Sequence, residues 1–204
     1  MNEETHQKLM KIKRSFRLVM NGPTSQSMRE MGMEYKLNWG VPFIELKKMA
    51  EEYGKDYELA IELWKEDIRE CKILATLIMP AEKMLPEITD IWMEQVSSQE
   101  MAEMLAFNLL QNVDYAPVLA YQWMASDKPL YLIAGFQILS RLFTKGQEPN
   151  ERGINEFLDQ ARVSLQSEHV GVKHAVANCV LRFADLGEDY ENIARKALQG
   201  VFEL

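Results

Sequence analysis

The segment "SSQEMAEMLAFNLLQ", Ser97–Gln111, opens with two carboxylates, Glu100 and Glu103. Three positions apart on a helix they share one face, where paired carboxylates can move protons or supply countercharge to a cationic transition state. The same residues also suit a plainer role, because acids in the first turns of a helix are favoured by its dipole. Other chemistry-bearing residues are sparse. His169 has no Ser or Cys partner in view, so a nucleophilic triad is not supported. His174, beside Lys173, reads as a surface residue. Cys71 and Cys179 lie in apolar helical patterns without C-x-x-C spacing, which makes them reduced packing residues rather than a redox pair or zinc ligands. No metal or cofactor is expected.

These residues must be held by helices. Apolar positions recur mostly at three- and four-residue spacing, and Leu, Met, Ala, Glu and Lys are abundant, so the class is all-α. With 204 residues and 47% hydrophobic composition, the chain is long enough to bury a sizeable core. No run of about 18 apolar residues suggests a membrane span. The N-terminal "MNEETHQKLMKIKRSF" lacks the apolar centre of a secretion signal, and a cytoplasmic location is expected. A net charge of −8 argues against a protein that coats nucleic acid non-specifically. It leaves room for a local basic stripe. Lys8, Lys11, Lys13, Arg14 and Arg17 cluster near the start, whereas the stretch from Glu82 to Glu103 is acidic.

An internal repeat decides the architecture. "AIELWKEDIRECKILATLI", "ITDIWMEQVSSQEMAEMLAFNLL" and "LAYQWMASDKPLYLIAGFQILSRL" each read as a helix ending after a tryptophan, a polar break, and a second helix rich in small residues. Trp64, Trp92 and Trp123 thus recur about thirty residues apart. A looser copy, "FLDQARVSLQSEHVGVKHAVANCVLRF", has Ala161 or Val163 in the tryptophan's place. Such a hairpin cannot bury its apolar face alone, so the expectation is an α-solenoid, a superhelix of HEAT/armadillo-like helical hairpins in a single domain over 1–204. Ala75, Ala106, Ala134 with Gly135, and Ala175 with Ala177 would let neighbouring helices approach closely. The stretch before the first repeat is expected to add two or three helices that close one end. Recurring tryptophans could form an aromatic cage, but residues repeated at one place in each unit are expected to be core wedges.

With the repeats placed, the sequence resembles the AlkD-like DNA alkylation repair family of HEAT-like repeat proteins. The resemblance rests on "LWKEDIRECKILATLIM", where a Trp-ending helix is followed by Arg-Glu and an Ala-rich helix. It is supported by "LNWGVPFIELKKMA", "QWMASDKPLYLIAG" and "VGVKHAVANCVLRFA". It implies a concave basic surface for duplex DNA and, in catalytic members, excision of cationic alkylated purines. Tryptophans and an aspartate near the sugar would stabilise the oxocarbenium-like transition state, with no nucleophilic side chain or metal required.

The family's catalytic pattern is a Trp-Trp-Asp run with a second aspartate three residues after the first. Carried onto this chain from the Ser97-Ser98 break, Glu100 and Met101 fall at the tryptophans, Ala102 at the first aspartate and Leu105 at the catalytic one. The family's arginine falls near Ile133 and its later tryptophan near Asn178. Glu103 is two residues from Leu105, about 200° around a helix, and would face elsewhere. Glu100 and Glu103 therefore read as first-turn acids, and no catalytic residue is assigned.

Basic residues at the starts of second helices survive better. Arg69, Lys72, Lys128, Lys173 and His174, with Tyr131 as the remaining aromatic and Arg182 further along, are candidate DNA-binding residues contacting phosphates. For Arg69, adjacent to Glu70, an inter-repeat ion pair is the competing role. The reading is a non-catalytic or weakly active DNA-binding relative of alkylpurine DNA glycosylases, with double-stranded DNA as partner. The alternatives are an active glycosylase with re-sited groups and a protein-binding scaffold.

Overall fold

A computed structural model of the chain describes residues 2–204. The described residues form twelve α-helices joined by short turns, and the extended backbone makes one isolated parallel bridge, Leu37 with Ile68. No helix among them is long and apolar enough to cross a membrane. The chain divides into two compact units, Met1–Leu109 and Leu110–Leu204.

The first unit contains α1 (Glu3–Ser15), a 3-10 turn (Phe16–Leu18), α2 (Gly22–Glu30), α3 (Phe43–Tyr53), α4 (Tyr57–Lys65), α5 (Arg69–Ile78), α6 (Pro86–Glu94) and α7 (Gln99–Asn108). Side-chain caps set several starts: Asn2, Asp56 and Ser98 accept from the backbone N–H groups of Thr5, Leu59 and Met101. Pro86 opens α6, where its missing N–H costs nothing. Helices α4 and α5 form one hairpin, with α3 and α7 both packed on α5 and α1 on α4. Nearly every residue of α5 is buried, from Arg69 to Thr76 and Ile78. Trp64 and Trp92, near the ends of α4 and α6, stack with ring centroids 4.2 Å apart and planes 2° from parallel.

The second unit contains α8 (Ala116–Met124), α9 (Pro129–Thr144), α10 (Glu151–Ser164), α11 (Val170–Ala184) and α12 (Glu188–Ala197). Its core is a cluster of phenylalanines. Phe157 meets Phe136, Phe143 and Phe183 at centroid distances of 6.4, 5.4 and 5.1 Å. Gly135 lets α9 approach α8, because a Cβ there would lie 2.8 Å from the Met124 nitrogen and 3.0 Å from the Ala120 oxygen.

The repeat register holds. Trp64, Trp92 and Trp123 are only 2, 3 and 3% exposed and occupy the last turns of α4, α6 and α8. They are wedges in the core rather than a cage. In the fourth copy Ala161 takes the buried place and Val163 points outward, 69% exposed.

Candidate nucleic-acid interface

Arg69 is the first residue of α5, and Ile68 before it is extended, so its side chain leaves the helix toward the start of α7. Its Nε and Nη2 donate to the two carboxylate oxygens of Glu100 at 2.7 and 2.6 Å, a bidentate pair. Nη1 donates to Glu70 Oε1 at 3.2 Å and to the Val41 carbonyl at 3.3 Å. Burial opposes the arginine's charge, but Glu100 and then Glu70 outweigh it and hold its pKa above the ordinary value.

Glu70 is fully buried and also accepts from the backbone N–H groups of Trp39 and Val41. The Arg-Glu pair that carries the family resemblance thus fastens the "LNWGVP" loop to α5. Arg69, expected as a candidate phosphate contact, has instead the competing role of inter-repeat ion pair, because its donors already have protein acceptors. Glu100 is part of the same network, more than a first-turn acid favoured by a dipole.

Lys72, one turn on, is similarly enclosed. Its Nζ donates to the Trp64 carbonyl at 2.9 Å and lies 4.5 Å from the Trp64 ring centroid. At 8% exposure it presents little to a phosphate, and burial lowers its pKa. Trp64 in turn donates its indole N–H to Gln95 at 2.9 Å. Lys72 is therefore an interior cation of the first unit and is not kept as a backbone contact.

The other candidate residues lie on the second unit. Asn178 donates to Ser140 Oγ at 2.9 Å, and the Phe143 and Phe183 rings are 5.4 Å apart, so α9 and α11 run side by side in the same direction. Lys128, which caps α9, and Lys173 and His174, in the first turn of α11, consequently share one edge of this pair. All three are exposed. The Lys128 ammonium lies 5.0 Å from the Tyr131 ring centroid, and that ring meets Trp123 edge-on at 5.4 Å. Arg182, further along α11, pairs with Asp185 at 2.7 Å on the surface.

Of the positions aligned with the family's catalytic groups, Glu100 is a partly exposed carboxylate tied to Arg69. Met101 is 1% exposed, and Ala102, Leu105 and Ile133 are fully buried. Asn178 is half-buried and bonded to Ser140. Glu103 accepts from Gln99 at 2.9 Å on the exposed face of α7. Buried Leu105 and half-exposed Glu103 point differently, as the helical rotation between them requires.

The interactions missed at the sequence level share a signal. Trp39 to Glu70, Trp64 to Gln95 and Arg69 to Glu100 all span 31 positions, and Asn108 to Thr76 spans 32. One repeat length separates each side chain from its partner.

A family of stacked helical hairpins is what this geometry defines, and the comparisons agree. The family model described as DNA alkylation repair enzyme matches residues 12–198. The chain belongs to the DNA alkylation repair enzyme family. A similar solved structure is described as "a new family of proteins related to the HEAT-like repeat DNA glycosylases with affinity for branched DNA structures". The likeness has a TM-score of 0.79 at 19% identity, over 93% of this chain and 83% of that one, and bears on the fold. No curated protein matches the chain.

Proposed function

We propose that this protein is a non-catalytic or weakly active DNA-binding member of its family, holding DNA by phosphate contacts rather than excising bases. The observation that carries the reading is the interior around Leu105. The side chain aligned with the catalytic aspartate is a fully buried leucine, and the carboxylate of Glu100 is tied bidentately to Arg69. Neither can face a developing cation on a deoxyribose. Losing one preorganised charged group from such a site costs about 10²–10³ in rate.

Lys128, Lys173 and His174 are the proposed backbone contacts, with Tyr131 beside them. They are exposed, share an edge, and suit a chain whose acidic balance favours local contact over general coating. Branched DNA is the proposed preferred form, in line with the affinity described for the similar structure.

Two measurements test the reading. Fluorescence anisotropy of labelled duplex and three-way-junction DNA at low salt should show binding that favours the junction. Release of 3-methyladenine and 7-methylguanine from methylated duplex should be absent or far slower than in a catalytic family member. Excision at ordinary enzymatic rates that fell on Glu103→Gln would overturn it in favour of a re-sited carboxylate.

A further inference from the structure

The basic residues near the N-terminus divide into two groups. Lys8 pairs with Glu4 and Asp56, Lys11 with Glu52, and Lys13 with Glu66. Among the described residues, Arg14 and Arg17 form no such ion pair, and both are exposed. Arg17 lies beside the fourth tryptophan, and Arg14 stands three positions earlier, in the last turn of α1. The Arg17 guanidinium sits 5.7 Å from the Trp39 ring centroid, at the outer limit of a cation–π contact, where the side chain can still swing to another anion.

Trp39 differs from the three repeat tryptophans. It is half-buried where they are enclosed. Its backbone is fixed from both sides: the N–H donates to Glu70, and the carbonyl accepts from the Asn21 N–H at 2.9 Å. Gly40 follows with a φ of +66°, and a Cβ there would fall 2.2 Å from the Asn21 carbonyl oxygen, so the loop is pressed onto the start of α2. The indole is thus an aromatic surface on a rigid support. Leu18, 86% exposed, follows Arg17, and Met20, 57% exposed, precedes the Asn21 that binds Trp39.

We infer that Trp39, Arg17 and Arg14 form a site for an unpaired nucleobase and its adjoining phosphate; the inference rests on the DNA-binding reading above and adds the part of the DNA that is recognised. A base offers a π face and an anion a few ångströms away, the complement of an indole with the Arg17 guanidinium beside it and Arg14 one turn back along the chain. Within a duplex the base faces are stacked on one another and closed to a side chain, and a blunt end opens only the paired face of its last base pair. At a flap, branch or single-stranded end one face is free. The exposed Leu18 and Met20 supply apolar surface beside the base.

The repeat tryptophans are buried, so quenching of the full-length protein's indole fluorescence by a stacked base reports Trp39. A blunt duplex and the same duplex carrying a five-thymidine flap are titrated into the protein, with anisotropy of a labelled DNA followed in parallel. The flap should quench where the blunt end does not, and it should bind more tightly. Trp39→Leu, which removes the π face, should abolish the quench and lower flap affinity about 10-fold, leaving blunt-duplex affinity unchanged. Arg17→Ala, which keeps the indole and serves if Trp39→Leu does not fold, should weaken flap binding and reduce its salt dependence. Flap DNA bound without quenching, or a flap preference that survives Trp39→Leu or Arg17→Ala, would overturn the site while leaving DNA binding intact. Quenching by anionic phosphatidylglycerol vesicles but not by flap DNA would replace it with a membrane surface. Binding of neither DNA would remove this site and the DNA-binding reading together.

Discussion

Arg69 lies between two carboxylates at 4% side-chain exposure, so its replacement strands charge instead of merely losing a contact. Breaking a buried pair from one side costs about 3–5 kcal/mol, because the partner stays desolvated without compensation. Arg69→Ala should therefore lower the unfolding free energy measured in urea by that amount, and Arg69→Ala with Glu100→Ala together should cost less than the sum of the two single changes. Lys72 has the opposite sign of effect. Its folded-state pKa lies below the ordinary 10.5, because burial disfavours the ammonium. Between that lowered value and 10.5 the unfolded chain binds more protons than the folded one, so stability rises with pH through this window. The stability of the native protein relative to Lys72→Met should accordingly shift in the native protein's favour as pH is raised toward 10.5. Denaturant melts of both proteins across that range check it. Cys71 and Cys179 are free and buried, and burial pushes both thiols above their ordinary pKa. A thiol reagent should leave both unmodified in the folded protein and label them in urea.

At the scale of elements, close helix approach makes Gly135 the sharpest test. A methyl group there meets the backbone of α8, which cannot move aside as a flexible side chain would. Gly135→Ala should destabilise the protein by about 1–3 kcal/mol through overpacking, despite alanine's better helix propensity, and thermal melting would show it. The small-residue positions in the second helices were legible because spacing and size are written in the sequence itself. So were the tryptophan wedges, since a residue recurring in each copy of a repeat must meet a recurring neighbour. Arg69 was harder to read. Glu70 beside it in sequence drew attention, whereas its bidentate partner Glu100 lies on another helix. Adjacency says little about contact in a stack of hairpins; the repeat period says more. The Trp39 loop, which helps carry the family resemblance, hides its conformation for a related reason. Its conformation depends on Glu70 and Asn21, and neither local propensity nor periodicity specifies a backbone held by a buried carboxylate.

For the whole molecule, charge decides how DNA binding can behave. An acidic chain that binds DNA through a few exposed cations should do so weakly and with a shallow salt dependence. Lys128→Ala and Lys173→Ala should each reduce the slope of log affinity against log salt by about one, and the double change by about two. Curves identical to the native protein's would take those residues out of the interface. The hydrogen bonds that join one repeat to the next also bear on how the chain is made. Arg69 meets Glu100 31 positions later, and Trp64 meets Gln95 at the same interval. During synthesis at about 5–20 residues per second, each hairpin waits only a few seconds for the segment that completes it. Until Glu100 leaves the ribosome, Arg69 has no bidentate partner and gains by staying hydrated. Burial of the Arg69 charge is therefore fully compensated only once the next repeat has supplied Glu100.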